Sequence, residues 1–223
     1  MYLSYYRFLG FIVFIPTLVY SIMDFNSVGC LGYWFIYATN WTQCIVSTYI
    51  VLSILNLCTE GWYVAWTRRC CWVFQDCALV ASTIVTILTW YGCLYLGYST
   101  DFCHVDQKPY TLVVHGFNCI YMIIDYTVVK REFAPNDIIY PFIMSFVYFV
   151  WTYVHHYLQI GICVSPHSNA PIYSSIRWDD DVDDKYNVGE FAVLMVPVML
   201  IYYVFTFILR RTNQTYNDMF YLS

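Results

Sequence analysis

The chain carries little charge. Of its 223 residues 10 are Lys or Arg and 15 are Asp or Glu, 11% in all, where a soluble globular domain carries about 25%. A disordered chain needs high charge and few aromatics, and here aromatic residues make up 22%, so disorder is excluded. A formal net charge of −5 excludes a basic nucleic-acid-binding surface, and no nucleic-acid partner is expected. The ten cysteines have neither the spacing of a metal site nor that of a disulfide framework. The length suits one compact unit, so a single domain over 1–223 is expected.

The few charges are clustered, and the stretches between them are long. Phe8 to Met23, Phe25 to Thr59, Cys77 to Thr100, Pro109 to Ile124, Ile138 to Ile176 and Phe191 to Leu209 contain no Asp, Glu, Lys or Arg. A bilayer core of about 30 Å is crossed by about 20 mostly apolar helical residues. Six transmembrane helices are therefore expected, at about 8–23, 33–57, 72–97, 110–129, 138–158 and 190–209. The fold class is an all-α integral membrane protein. Buried helices of a soluble core are the competing reading, but too few charges remain to clothe a soluble exterior. The first span follows Arg7 as a signal peptide would. No small-x-small cleavage site comes after it, and it is read as a retained helix.

Six spans place both termini on one side. Arg7, Arg68, Arg69, Lys130, Arg131, Arg210 and Arg211 fall there, against Lys108, Arg177 and Lys185 on the other. The basic excess puts both termini in the cytosol, in the plasma membrane or the endoplasmic reticulum. The far side is acidic, with Asp179 to Asp184 in the longest loop, read as solvated. Cys30, Cys103 and Cys163 also lie there, so at most one pair could form. Cys70 and Cys71 abut the cytosolic face, where S-palmitoylation is plausible.

Ionisable groups at membrane depth are costly and are functional candidates. Asp76 and Asp125 have matching depths near the cytosolic face, where they could face one another or stay partly hydrated. All five histidines lie at or beyond the far half. Adjacent His155 and His156 cannot face one site on a helix, so no metal site is expected. Thr39 and His115 fall at nearly equal depth below the far-side headgroups. A histidine that takes the proton of a hydroxyl makes it a nucleophile able to attack an acyl carbon. Asn118, one helical turn after His115, could orient the imidazole, and Asn40 adds a polar group beside Thr39.

Tyr37-Ala38-Thr39-Asn40-Trp41 resembles the Y-L-T-N-W opening of a helix in rolling stone-like membrane proteins. Val114-His115-Gly116-Phe117-Asn118, followed by Met122 and Asp125, resembles their h-G-x-N-x-x-x-M-x-x-D pattern. Ile172-Tyr173-Ser174-Ser175-Ile176-Arg177-Trp178 is similar to their I-Y-P-x-x-D-W segment, with serine and Arg177 in place of Pro and Asp. That group is similar in turn to the androgen-induced family of six-helix membrane proteins, which includes hydrolases of fatty acid esters of hydroxy fatty acids. The resemblance implies a catalytic threonine and histidine at the positions of Thr39 and His115, although Val114 stands where that family has Asn before its histidine.

The expectation is a lipid-ester hydrolase in the membrane, with catalytic residues Thr39, His115 and Asn118 and no cofactor. Membrane lipids and a lipid-ester substrate are the implied partners. The rival is a non-enzymatic membrane protein acting through protein contacts, for which rolling stone-like proteins, known for a role in muscle-cell fusion, are the example. On that reading the same polar residues are interhelical hydrogen bonds.

Overall fold

The computed structural model describes residues 2–58, 63–95, 109–129, 135–163 and 165–168, and positions 172, 178, 200, 204 and 207. Its helices are α1 (Tyr2–Ser27), α2 (Ala38–Cys58), α3 (Tyr63–Tyr95), α4 (Pro109–Leu112), α5 (Asn118–Val128) and α6 (Ile139–Tyr157). A 3-10 helix, Leu31–Ile36, precedes α2, and a π-helical turn, Val113–Phe117, joins α4 to α5 in one rod. Five segments are long and apolar enough to cross a bilayer: Tyr5–Ser27, Ala38–Cys58, Ala65–Trp90, Tyr110–Val128 and Asn136–Tyr157. The expected sixth span, 190–209, lies outside the described residues except for Leu200, Val204 and Phe207, which are helical. The acidic run Asp179 to Asp184 lies outside them too.

The chain divides into two compact units, Met1–Val128 and Val129–Ser223. In the first, α2 packs on both α1 and α3, and α3 packs on α5. Hydrogen bonds between helices fix the directions. Between α1 and α2, Ser21 Oγ meets Asn40 Oδ1 at 3.5 Å, Gln43 Nε2 donates to the Phe14 carbonyl at 3.0 Å, and Arg7 donates to the Ser53 carbonyl at 3.0 Å. The numbers rise on one helix as they fall on the other, so the pair is antiparallel. Between α2 and the α4–α5 rod, contacts join Thr39 to His115 and Tyr49 to Asp125, each across 76 residues. A constant offset means that these two helices run parallel.

The unit buries many of its polar groups beside an apolar core and leaves its outside apolar. Gln43, Ser47, Ser53, Gln75, Asn118 and Asp125 are buried, while Phe8, Ile12, Val19, Leu112, Ile120 and Ile124 are exposed. In the second unit α6 exposes Phe142, Ile143, Phe146, Val147, Val150 and Tyr157. A water-facing surface rarely carries apolar patches of this extent, whereas lipid tails accept them and leave polar groups to pair internally. The helices therefore belong in lipid, and the protein is a multi-pass membrane protein.

Two expected boundaries move. The second span does not run unbroken from 33. Tyr37 is extended (φ −87°, ψ 130°) and separates the 3-10 helix from α2, so Thr39 lies in the first turn of α2 and not deep within it. The third helix starts at Tyr63 and not at 72. Arg68 and Arg69 end the apolar stretch but not the helix, because arginine is a good helix former.

The second unit adds a feature that a solvated-loop reading did not anticipate. After α6 the chain forms a small antiparallel hairpin, β1 (Gly161–Ile162) with β2 (Ser165–Pro166). Gly161 has φ +73°, and a side chain there would collide with the Ser165 carbonyl. His155, buried on α6, bonds the Gly161 carbonyl through Nε2 at 2.8 Å and ties the hairpin to the helix.

Candidate functional site

Thr39 Oγ1 and His115 Nε2 lie 3.3 Å apart. Thr39 is carried by the first turn of α2, and His115 by the centre of the π-turn Val113–Phe117. Both residues are part-buried. On the other edge of the ring, Nδ1 meets the Thr111 carbonyl at 3.0 Å. A carbonyl can only accept, so Nδ1 carries the hydrogen and Nε2 presents its lone pair to the Thr39 hydroxyl. That is the tautomer a general base requires.

The other two polar candidates take different roles. Asn118 is fully buried and makes its hydrogen bonds within its own rod: Nδ2 donates to the Val114 carbonyl at 2.8 Å, and Oδ1 accepts from the Cys119 N–H at 2.7 Å. The contact that fixes the imidazole comes from Thr111, and Asn118 does not supply it. Asn40 points toward α1, where its Nδ2 donates to the Trp34 carbonyl at 2.7 Å and Trp34 in turn donates to Ser21 Oγ at 2.9 Å. That set anchors the 3-10 helix to the bundle.

Two participants were not anticipated. The Trp90 indole, on α3, donates to the His115 carbonyl at 3.1 Å. The π-turn itself is the other. π-turns are rare and occur often at functional sites. An alternation of apolar and polar residues does not encode them, and only the Gly after His115 hints at unusual backbone.

A second polar cluster lies toward the opposite end of the same unit. Asp125 Oδ2 accepts from Tyr49 Oη and, at 2.9 Å, from Gln75 Nε2. Arg7 is buried within electrostatic reach of Asp125. Asp76 is buried as well. Asp125 engages Gln75, the residue before Asp76. Tyr6 stacks on Tyr121 with centroids 4.5 Å apart and donates to the Tyr121 carbonyl at 2.6 Å.

Cys30 and Cys163 are each disulfide-bonded. Cys44, Cys58, Cys70, Cys71, Cys77 and Cys119 are free thiols. Among the described residues no group of three or more His, Cys, Asp or Glu side chains converges as a metal site would require.

Comparison with known proteins is consistent with the membrane assignment. The chain is similar to protein rolling stone of Drosophila melanogaster, with 23% identity over 218 residues, covering 86% of this chain and 71% of that protein. No family model matches the chain. No solved structure matches it either.

Proposed function

We propose that the protein is a lipid-ester hydrolase that works within the membrane. The observation that carries this reading is the 3.3 Å contact between Thr39 Oγ1 and His115 Nε2. In the proposed reaction His115 Nε2 accepts the Thr39 proton as Oγ1 attacks the ester carbonyl. The imidazolium then returns that proton to the departing alkoxide, leaving an acyl-threonine. Water, deprotonated by the same nitrogen, attacks the acyl carbon, and the proton goes back to Thr39 Oγ1 as the carboxylic acid departs. The Thr111 carbonyl holds the ring by Nδ1. Asn118 supports the pair through the backbone that carries His115. The acyl chain stays among lipid-facing residues such as Leu112 and Phe117, so only the ester need approach the polar pair. No cofactor enters this reaction.

The proposed topology has six spans with both termini cytosolic. Beside the split of basic residues, the cysteines support it. With alternating spans, the disulfide-bonded Cys30 and Cys163 follow the outward-running α1 and α6, while the free Cys58, Cys70 and Cys71 flank the opposite turn. Disulfides persist in oxidising compartments and thiols in the cytosol. Thr39 and His115 then open toward the non-cytosolic leaflet.

The test is hydrolysis of a fluorogenic acyl ester in proteoliposomes by wild type, Thr39→Ala and His115→Ala. Loss in both variants is expected. Equal rates would leave the rival reading, in which the pair is one more interhelical hydrogen bond in a protein that acts through contacts.

A further inference from the structure

The π-turn that carries His115 is held open by side chains, and the hydrogen-bond register shows how. In a regular α-helix the Asn118 N–H would bond the Val114 carbonyl, four residues back. Here it reaches Val113, five residues back, with the Gly116 carbonyl as a second acceptor. The Val114 carbonyl instead receives the Asn118 side-chain amide at 2.8 Å. The Asn118 side-chain oxygen takes the next backbone N–H, that of Cys119, at 2.7 Å. One buried side chain thus substitutes for an α-helical donor and satisfies the N–H that follows. From outside the rod, the Trp90 indole takes the His115 carbonyl at 3.1 Å.

We infer that Asn118 and Trp90 are positioning residues whose hydrogen bonds to the π-turn set the distance between His115 and Thr39. The inference deepens the hydrolase reading and takes its chemical purpose from it. If the turn relaxed to α geometry, the Val114 carbonyl would recover the Asn118 N–H. One residue would be drawn into the regular helix, and each residue there turns the helix by about 100°. His115 would swing away from Thr39. The device separates two demands on one segment: α5 keeps its core contacts while the imidazole is aimed across to α2.

The test reads the geometry without needing an ester substrate. In Thr39→Cys the introduced thiol stands beside His115, and a neighbouring imidazole raises the thiolate fraction on which alkylation depends. The probe is N-ethylmaleimide, applied to the full-length protein in liposomes, with each cysteine followed by mass spectrometry. Against Thr39→Cys alone, adding His115→Ala is expected to slow alkylation of that thiol by about tenfold. Adding Asn118→Leu is expected to slow it by a similar factor, and Trp90→Phe by about twofold, since one of two supports remains.

Cys71 and Cys77, both buried on α3, are the internal control. Unfolding would raise their labelling, whereas repositioning of His115 lowers only that of the introduced thiol. An unchanged rate in Asn118→Leu, with His115→Ala slowed, overturns the inference. So does an unchanged rate in His115→Ala. If Asn118→Leu does not fold, Trp90→Phe decides, because Trp90 is 43% exposed and outside the core; a wild-type rate there overturns the inference. Thiol rates that fall as expected in a protein that hydrolyses no ester would remove the hydrolase reading and leave the positioning role standing.

Discussion

Two polar contacts join α2 to the α4–α5 rod, ten residues apart on each helix, or about 15 Å along the axis. At the Asp125 end, Tyr49 and Gln75 converge on one carboxylate oxygen from two different helices, and Arg7 lies near from a third. Every member is buried. At the Thr39 end one hydroxyl meets one imidazole nitrogen at 3.3 Å, and both groups are part-exposed. A convergent buried network specifies how helices pack, since each unmet group in it is costly. A single part-buried contact contributes less to packing than a convergent network does. On the proposed hydrolase reading, one end serves structure and the other chemistry.

The largest expected effect breaks the Thr39–His115 pair. Thr39→Ala or His115→Ala should lower ester hydrolysis by about a hundredfold or more, the contribution of a positioned general base. Thermal unfolding in detergent should barely move. A large fall in midpoint with activity retained would reverse the assignment of the two ends.

Next comes the opposite end. Asp125→Ala leaves the Tyr49 hydroxyl and the Gln75 amide without their acceptor in a buried site. Each unmet donor costs about 1–3 kcal/mol, so a loss on the order of 3 kcal/mol is expected in a reversible detergent unfolding assay. Asp125→Asn keeps an acceptor and should cost less. If Asp125→Ala proves as stable as wild type, the cluster is not what holds the helices.

How much of this is legible in the residues differs between the ends. Charge-free stretches mark all five described spans, because a bilayer tolerates few charges wherever the helix crosses it. They do not mark helix ends. The boundary at Tyr37 is a backbone bend within an apolar stretch, and α3 runs on through Arg68 and Arg69. Thr39 and His115 could be matched by depth, since two parallel helices entering from one side keep equal depths in register. Their supports could not. Trp90 carries no signal in the sequence, and Asn118 looks like an orienting group because α-helical spacing puts it beside His115. The π-turn changes that spacing. The partners of Asp125 are equally hidden: Tyr49 and Gln75 carry no charge, and Arg7 reads as a topological signal although it is buried against the Ser53 carbonyl.

A smaller effect probes the packing between the two ends. Gly10 on α1 faces Tyr121, and a Cβ there would collide with the end of the phenol ring. That ring is stacked on Tyr6 and edge-on to Phe14 at 5.1 Å, so it has little room to yield. Gly10→Ala should destabilise by about 1–3 kcal/mol through overpacking, partly offset by the better helix propensity of alanine. Unfolding measured beside Gly10→Ala/Tyr121→Leu checks the cause. The second change opens the space and should recover part of the loss.

The smallest effect tests whether hydrogen bonding alone, without convergence, contributes to packing. Between α2 and α3, Thr67 Oγ1 donates to Asn56 Oδ1 at 2.8 Å, and Asn56 Nδ2 donates to the Thr67 carbonyl at 3.2 Å. The pair is reciprocal but part-buried, so water or headgroups can replace either partner. Interhelical hydrogen bonds in membrane proteins average about 0.6 kcal/mol, and Asn56→Ala should cost about that much. A cost equal to that of Asp125→Ala would mean that any polar contact between these helices counts alike. The Thr39–His115 pair would then have to be counted among the contacts that hold the bundle together, and its exposure would lose its meaning as a sign of chemistry.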